Sequence, residues 1–234
     1  MTYRNPFKTL TRFEWALWLV SIIAIIVSSI CAAAFQYLTI LASLIGVTAL
    51  MFVAKGDVAG QILTVIFSLL YAWISLRYHY YGEMITYLGM SAPIAVLSVV
   101  SWLRNPYEKG KNEVKIARLR KQQIVQMICY SIVVTAIFYF ILKHFHTANL
   151  IVSTISITTS FLAAYLMFCR SCAYAIAYAA NDVVLIVLWV MAAAESLSYL
   201  PMVICFVMFF CNDLYGFYNW SRMKKAQHCQ MGCS

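Results

Sequence analysis

The sequence predicts an all-α integral membrane protein with eight transmembrane helices, and composition and charge distribution support this fold class. Hydrophobic residues make up 64% of the 234 residues and charged residues only 11%, whereas soluble domains typically carry about 25% charged residues. The charges cluster between apolar stretches of roughly 20 residues, the length that a membrane-spanning helix needs. The chain is therefore not an ordinary soluble domain, and the lipid bilayer is its expected surrounding.

Eight apolar stretches give the predicted helices, with bounds at the changes from charged to apolar composition. The first stretch lacks a convincing small-residue cleavage site before the second, so we expect the mature protein to keep it. The predicted spans are Trp15–Ala34, Tyr37–Ala54, Val58–Arg77, Met84–Leu103, Ile124–Leu142, Asn149–Phe168, Tyr174–Ala192 and Leu197–Trp220.

Lysine and arginine lie almost entirely on one side of this topology. An even number of spans puts both termini on the same side, together with 15 of the 17 Lys and Arg residues; Arg77 and Lys143 fall on the other side. Cytoplasmic loops are enriched in these residues. We therefore predict a multi-pass protein of the cell membrane with both termini in the cytoplasm.

The formal net charge of +9 does not require a nucleic-acid partner. Its main source is the run "RNPYEKGKNEVKIARLRK" after the fourth span, where basic residues also attract anionic lipid headgroups. No nucleic-acid motif accompanies this run. The eight cysteines do not indicate a disulfide framework, because most lie in or beside spans. The segment around His228 matches no metal-ligand spacing, and we expect no metal or cofactor.

A weak internal repeat suggests how the spans are organised. Lys55 and Arg170 precede the third and seventh spans, and Trp102 and Trp220 close the fourth and eighth. Two three-span units joined by one linker span can repeat in parallel about an axis along the membrane normal. We therefore predict one extra N-terminal helix plus a parallel 3+1+3 repeat. The predicted units are the N-terminal segment with the extra helix, the first repeat, the basic loop with the linker helix, the second repeat and the cytoplasmic tail: residues 1–34, 35–103, 104–148, 149–220 and 221–234.

Two Asn-Asp pairs lie inside predicted spans, Asn181-Asp182 on the seventh and Asn212-Asp213 on the eighth. A charge near the bilayer centre costs about 2.5 to 3.5 kcal/mol on insertion scales and almost always faces a bundle interior or a wet cavity. Asp182 lies roughly 12 Å, and Asp213 roughly 10 Å, from the cytoplasmic end of its span. We interpret both pairs as lining one cavity, although hydrogen bonds between helices are an alternative role.

Aromatic and polar side chains accompany these pairs at helical spacing. Tyr178 and Trp189 share a face of the seventh span, and Tyr215 and Tyr218 lie beside Asn212 on the eighth. Trp102 and Trp220, at span ends, fit an interfacial belt about equally well. Two further spans carry stripes of their own, formed by Gln61, Thr64, Ser68, Tyr71 and Ser75, and by Tyr87, Ser91, Ser98 and Trp102 around Pro93.

A cavity lined by these faces suits a small polar molecule with a flat ring. The ring would stack on Tyr or Trp, and hydroxyl groups would meet Asn, Asp and Gln side chains. We predict no catalytic residues. The predicted substrate-binding residues are Gln61, Tyr178, Asn181, Asp182, Trp189, Asn212, Asp213, Tyr215 and Tyr218.

Several segments, taken in their order, resemble the PnuC family of bacterial vitamin transporters. They are the intramembrane Asn/Asp of the seventh span and the runs "SLIGVTALMFVAKGD", "SLLYAWISLRYHYYGE" and "DLYGFYNW". The resemblance covers roughly residues 37–220. It implies a homotrimer of seven-helix cores that carries nicotinamide riboside by facilitated diffusion, with a cytoplasmic kinase trapping the product. Relatives carry thiamine, riboflavin or deoxynucleosides.

The resemblance also implies roles for individual residues. Asn181 and Asp182 resemble the polar contacts of the family and Tyr178 its ring-stacking position. The opposing wall would be formed by Asn212, Tyr215 and Tyr218. The chain departs from the family where a Trp is usual, because Tyr178 stands four residues before Asp182. A smaller ring plate is compatible with another nucleoside-like substrate.

Two other functions remain open at this point. A proton-coupled symporter of a similar solute is one, because a carboxylate at mid-depth can relay protons. A membrane-embedded enzyme is less favoured, because the sequence has no H-E-x-x-H or G-x-S-x-G motif.

Overall fold

The protein is described by a computed structural model that covers residues 6–31, 37–77, 81–108, 113–147 and 149–232. Within these residues, eight helices are long and apolar enough to span a membrane, as the sequence predicted. They are α1 (Arg12–Cys31), α2 (Tyr37–Ala54), α3 (Val58–Arg77), α4 (Tyr81–Leu103), α5 (Lys121–His144), α6 (Leu150–Phe168), α7 (Tyr174–Glu195) and α8 (Leu200–Gly232).

Helices α1, α4 and α5 each begin three residues earlier than the composition indicated, and the extensions of α1 and α4 bring an acidic side chain into a span. Helix α1 begins at Arg12 and contains Glu14, and helix α4 begins at Tyr81 and contains Glu83. The sequence-based prediction placed the start of each span where charged residues give way to apolar ones. It misplaces the starts of α1 and α4 because each carboxyl group accepts a hydrogen bond from a tyrosine hydroxyl and stays inside the bundle.

Helix α8 continues beyond its predicted end. The sequence placed the end at Trp220, followed by a cytoplasmic tail, but the helix runs to Gly232. The extension is held by packing, since Gln227 is buried and its side chain bonds to the main chain of Ile116 and Val114. The predicted end of the first span at Ala34 lies outside the described residues.

Six of the helices form a closed ring in the order α2, α3, α4, α6, α7, α8, and α8 returns to α2. Helix α1 lies outside the ring against α2 and α8, and α5 lies outside it against α6 and the start of α4. Exchanging α1 with α5, α2 with α6, α3 with α7 and α4 with α8 maps every one of these contacts onto another. This symmetry is the one expected of two parallel repeats, and each outer helix packs against the first helix of one three-helix unit and the last helix of the other.

Helix α4 contains a wider, π-type turn at Tyr87–Ser91, directly before Pro93. Proline has no N–H to donate to the preceding turn, so a regular α-helix would be interrupted there. The wider turn accommodates this interruption inside a membrane span. It also lies at the interior of the ring.

The tryptophans at the ends of α4 and α8 are buried, although an interfacial belt explained them about equally well from the sequence. Trp102 and Trp220 have no exposed surface, and their ring centroids are 5.5 Å apart. The Trp220 indole N–H donates to the carbonyl oxygen of Val53 at 2.9 Å. We call this end of the bundle, which holds the α2–α3 turn, the α4–α5 loop and the α6–α7 turn, the basic end, and the opposite end the far end.

A segment of the α4–α5 loop covers the tryptophans at the basic end; we call residues 113–117 the strap. Val114 and Ile116 point into the tryptophan cluster and are buried. The main-chain N–H of Val114 donates to the Gly56 carbonyl oxygen, and that of Ala117 to the Arg170 carbonyl oxygen, both at 3.0 Å. The strap therefore bonds to both turns at this end of the ring.

Candidate functional site

The interior of the helix ring holds a cavity of about 170 Å³. At the far end Gly82 and Thr147 line it, and toward the basic end it stops at Val53 and Met167. Both of these residues also pack in the tryptophan cluster under the strap. The cavity thus extends from the far end into the membrane-spanning part of the bundle and is closed at the basic end.

Helix α7 contributes Asn181 and Asp182 to the cavity wall, and each is only 4% exposed. The hydroxyl groups of Thr159 and Ser160 on α6 donate to Asn181 Oδ1 at 2.7 and 2.9 Å. These bonds orient the amide and leave its NH₂ group as a hydrogen-bond donor. Asp182 Oδ2 receives no hydrogen bond from an N–H or O–H group of the described residues.

Helix α8 sends its two neighbouring polar residues in different directions. Asp213 lines the cavity, where its carboxyl group lies beside that of Asp182. Asn212 points out of the ring: its amide donates to Ser21 Oγ of α1 at 3.1 Å and to the Met208 carbonyl oxygen at 2.7 Å. Consecutive residues of a helix are about 100° apart, so an Asn-Asp pair need not act as a unit.

The structure brings five of the predicted site residues together, and the other four lie outside the cavity lining. Gln61 and Tyr178 line the cavity with Asn181, Asp182 and Asp213. Outside it lie Asn212, Tyr215, Tyr218 and Trp189.

Each of the three aromatic residues outside the lining has a different neighbourhood. The Tyr215 hydroxyl donates to Glu14 Oε1 on α1 at 2.5 Å. Tyr218 is 61% exposed on the outer surface of the bundle. Trp189 packs against Tyr199 with a centroid distance of 5.8 Å. Because α8 contacts α1, α2 and α7, its polar residues serve several interfaces instead of one wall.

The sequence analysis missed Glu83, which lines the cavity near the far end. Its carboxyl group accepts a hydrogen bond from the Tyr71 hydroxyl. We counted Glu83 as a loop residue because the predicted span began at Met84. The spacing of four residues from Glu83 to Tyr87, and again to Ser91, could have identified it as the next member of the α4 stripe.

The cavity combines acidic, aromatic and hydroxyl groups. Its carboxyl groups belong to Glu83, Asp182 and Asp213, and none of the described residues that line it is Lys, Arg or His. Such a wall favours a neutral or positively charged solute and repels a phosphate group. Aromatic rings are available for stacking. They belong to Phe67, Tyr87, Tyr178, Phe206 and Phe209.

An eight-span bundle with a polar cavity inside a closed helix ring defines a membrane transport protein. A family model described as nicotinamide mononucleotide transporter matches residues 36–222 of the chain. The chain belongs to this family, which agrees with the resemblance seen in the sequence.

Individual relatives point the same way. The nicotinamide riboside transporter PnuC of Neisseria mucosa is 27% identical over 232 residues, which cover 97% of this chain and 88% of that protein. The nicotinamide riboside transporter PnuC of Haemophilus influenzae is 22% identical over 191 residues, 81% of each chain. A crystal structure of the vitamin B3 transporter PnuC superposes with a TM-score of 0.77 at 25% identity, covering 93% of this chain and 94% of that one.

Proposed function

We propose that this protein carries nicotinamide riboside, or a closely related nucleoside, across the cell membrane by facilitated diffusion. The observation that carries the proposal is the cavity of the helix ring, with the unpartnered Asp182 Oδ2 in its wall. An unsatisfied carboxylate oxygen inside a membrane protein is costly, and a ligand that donates a hydrogen bond or brings a positive charge offsets this cost. The relatives that bear the name of this cargo support the choice.

The charge of the cavity favours a nucleoside over a nucleotide. Nicotinamide riboside has a positively charged pyridinium ring and no phosphate, whereas the mononucleotide adds a phosphate dianion. Three carboxyl groups without a cationic residue in the described lining attract the first and repel the second. We therefore propose that the cargo of this protein carries no phosphate group.

Individual side chains can be assigned to parts of such a cargo. Tyr178 would stack on the ring, and the NH₂ group of Asn181 and the amide of Gln61 would bond the ribose hydroxyls and the carboxamide. Asp182 would accept a hydrogen bond or face the pyridinium charge. Since Tyr178 stands where the family usually has Trp, the ring plate is smaller, and another nucleoside is the nearest alternative cargo.

A binding panel tests this proposal directly. Purified protein would be titrated calorimetrically with nicotinamide riboside, nicotinamide mononucleotide, thiamine, uridine and deoxynucleosides. We expect the riboside to bind and the mononucleotide to bind at least about tenfold more weakly, because of the charge repulsion. Equal affinity for riboside and mononucleotide would contradict the charge argument, and binding of neither riboside nor any other nucleoside would contradict the function.

Proton coupling is the second candidate, and the closeness of Asp182 and Asp213 is the observation that favours it. Two neighbouring carboxyl groups can hold one proton between them and release it when a cation binds. Uptake into proteoliposomes distinguishes the two mechanisms. Facilitated diffusion predicts the same uptake with and without an imposed pH gradient, whereas a symporter predicts accumulation when the outside is acidic. Membership in a transporter family argues against the membrane-embedded enzyme.

The orientation, the oligomer and the trapping step complete the proposal. The 15 Lys and Arg residues on one side of the topology support cytoplasmic termini. The homotrimer and the cytoplasmic kinase follow from the family resemblance. Labelling of single introduced cysteines on intact cells would test the orientation, and light scattering of the detergent complex would test the trimer. Intracellular accumulation that depends on a nucleoside kinase would test the trapping.

A further inference from the structure

Glu83 is a cavity residue that the proposed transport function leaves without a role. It lies near the beginning of α4 at the far end, whereas Asp182 lies roughly 12 Å along α7 from the basic end. Trp102 near the end of α4 and Tyr174 at the beginning of α7 pack in one cluster, so the two helices share a level at the basic end. Glu83 and Asp182 therefore belong to different levels of one cavity.

Among the described residues, no cationic side chain neutralises Glu83. Its carboxyl group accepts a hydrogen bond from the buried Tyr71 hydroxyl. Of the cations near the far end, the Arg77 guanidinium lies over the Trp73 ring at 5.5 Å from the centroid and is exposed, and Lys143 is exposed. In the part of the chain that the structure describes, the one ion pair joins Glu14 and Lys55 elsewhere in the bundle.

Phe67 and Tyr87 line the cavity together with Glu83, and Tyr71, which bonds to Glu83, packs against both of these rings. The Tyr71 and Tyr87 rings are 4.5 Å apart, and the Phe67 and Tyr87 rings meet edge to face at 6.0 Å. A carboxylate beside several aromatic faces is the combination that binds organic cations, because the ring faces and the carboxylate both attract positive charge. Tyr87 is also close enough to Asp182 to interact with it electrostatically, so the aromatic group connects the two levels.

A second observation, independent of Glu83, favours a ligand in this cavity. Asp182 is 96% buried, and its Oδ2 atom, in the cavity wall, has no hydrogen-bond donor among the described residues. The cavity therefore presents two carboxyl groups in succession, with Tyr87 between them.

We propose that Glu83, Tyr71, Tyr87 and Phe67 form an outer subsite that selects cargo with a positively charged aromatic ring before it reaches Asp182. This inference rests on the proposed function, since it assumes a nucleoside cargo with a cationic ring. The aromatic rings bind the flat face of the cation, and Glu83 supplies the opposite charge. Neutral nucleosides would stack on the same rings but would not be attracted by the charge of Glu83. The subsite thus sets the preference of the transporter for charge, whereas the deeper groups recognise the sugar and the carboxamide.

The reduced form of nicotinamide riboside tests this subsite, because it has nearly the same shape and no ring charge. Wild-type protein and the E83Q variant would be titrated with both forms. Glutamine keeps an acceptor for the Tyr71 hydroxyl and removes the charge, so the variant should fold. We expect E83Q to bind the cationic form at least about tenfold more weakly and the reduced form with unchanged affinity.

The matched control is E195Q, which removes an exposed carboxylate at the far-end terminus of α7, outside the cavity lining. It should leave both affinities unchanged. Equal weakening of both forms in E83Q would assign Glu83 a structural role, and unchanged affinities would show that the subsite does not exist. A wild-type protein that binds neither form would instead contradict the proposed function.

Discussion

Two buried carboxyl groups of this protein have opposite surroundings. Glu14 on α1 is 1% exposed and fully paired: it accepts hydrogen bonds from the Thr11 main-chain N–H at 2.6 Å, the Tyr215 hydroxyl at 2.5 Å and Lys55 Nζ at 3.2 Å. Asp182 in the cavity is nearly as buried, yet its Oδ2 atom receives no donor from the described residues. One carboxyl group is complete within the protein, and the other is not.

The difference distinguishes a carboxyl group that is paired within the fold from one that the proposed function assigns to the cargo. Glu14 joins α1 to the end of α2 through Lys55 and to α8 through Tyr215, so its charge holds an outer helix on the ring. Asp182 stabilises no comparable contact with a cation, and its desolvation reduces the stability of the fold. Removing Glu14 should therefore affect folding first, and removing the Asp182 charge should affect transport first.

The largest expected effect is the loss of uptake on changing Asp182. D182A removes the unpartnered oxygen and D182N removes only its charge, so D182A should abolish uptake and D182N should reduce it at least about tenfold. Both proteins should elute as the wild-type oligomer in gel filtration. Uptake into proteoliposomes is the measurement. Wild-type uptake in D182A would show that the unpaired carboxylate is not part of the site.

The next effect concerns Asn181, whose amide is oriented by Thr159 and Ser160. N181A removes the remaining NH₂ donor and should also abolish uptake, without changing the elution of the oligomer. The double variant T159V/S160A keeps Asn181 and removes its two hydroxyl partners. It should lower the apparent affinity by a smaller factor, because the amide is present but no longer oriented. Equal uptake in N181A and the wild-type protein would remove Asn181 from the site.

A change of Glu14 should destabilise the protein with little effect on binding. E14Q weakens the pair with Lys55, which is 21% exposed, so we expect a loss of about 1 to 3 kcal/mol of stability. A double-mutant cycle with K55M, followed by thermal unfolding in detergent, isolates the pair: the combined loss should be smaller than the sum. If the stability losses of E14Q and K55M simply added in the double variant, the pairing would be contradicted. If folded E14Q lost its affinity for nucleosides, Glu14 would also take part in binding, and it would no longer differ from Asp182 in this respect.

The smallest effect is expected for Asn212, the neighbour of a cavity residue. N212A removes a hydrogen bond to Ser21, and such interhelical bonds contribute on average about 0.6 kcal/mol in membrane proteins. The melting temperature should fall slightly, and uptake per folded protein should not change. Asn212 and Asn181 are the same residue type at similar depth. Comparing N212A with N181A therefore compares an amide that points out of the ring with one that points into the cavity.

The eight spans could be predicted from the sequence because lipid imposes the length and the polarity of every helix. The bounds of α2 and α3 were correct to the residue. Charged ends were less informative: Glu14 and Glu83 were placed outside the spans because hydropathy cannot show that a tyrosine on another helix bonds to a carboxyl group.

The candidate site was predicted best on α7 and worst on α8. Tyr178, Asn181 and Asp182 line the cavity, whereas Trp189, predicted on the same face of α7, packs against Tyr199 instead. On α8, spacing grouped Asn212 with Tyr215 and Tyr218, but it cannot show which helix covers each face. The packing of α1 against α8 decides that, and it moves Asn212 and Tyr215 to an interface where they hold the outer helix.

The predicted extra helix and linker helix have equivalent surroundings in the structure. These two helices, α1 and α5, each pack against the first helix of one three-helix unit and the last helix of the other. Their attachment differs, since α1 is bonded through Glu14 and Asn212, and the side-chain bonds of α5 to α6 include one between Thr135 and Thr158 at 2.8 Å.

The hydrogen bonds of the strap must break before the two halves of the ring can separate at the basic end. Its main-chain bonds reach Gly56 in the first half of the chain and Arg170 in the second, and Gln227 adds two further bonds. At about 0.5 to 1.5 kcal/mol for each hydrogen bond, separating the two halves here costs several kcal/mol before any cargo passes. For the proposed carrier, these bonds of the strap therefore add to the barrier for opening the basic end, although no strap residue lines the cavity.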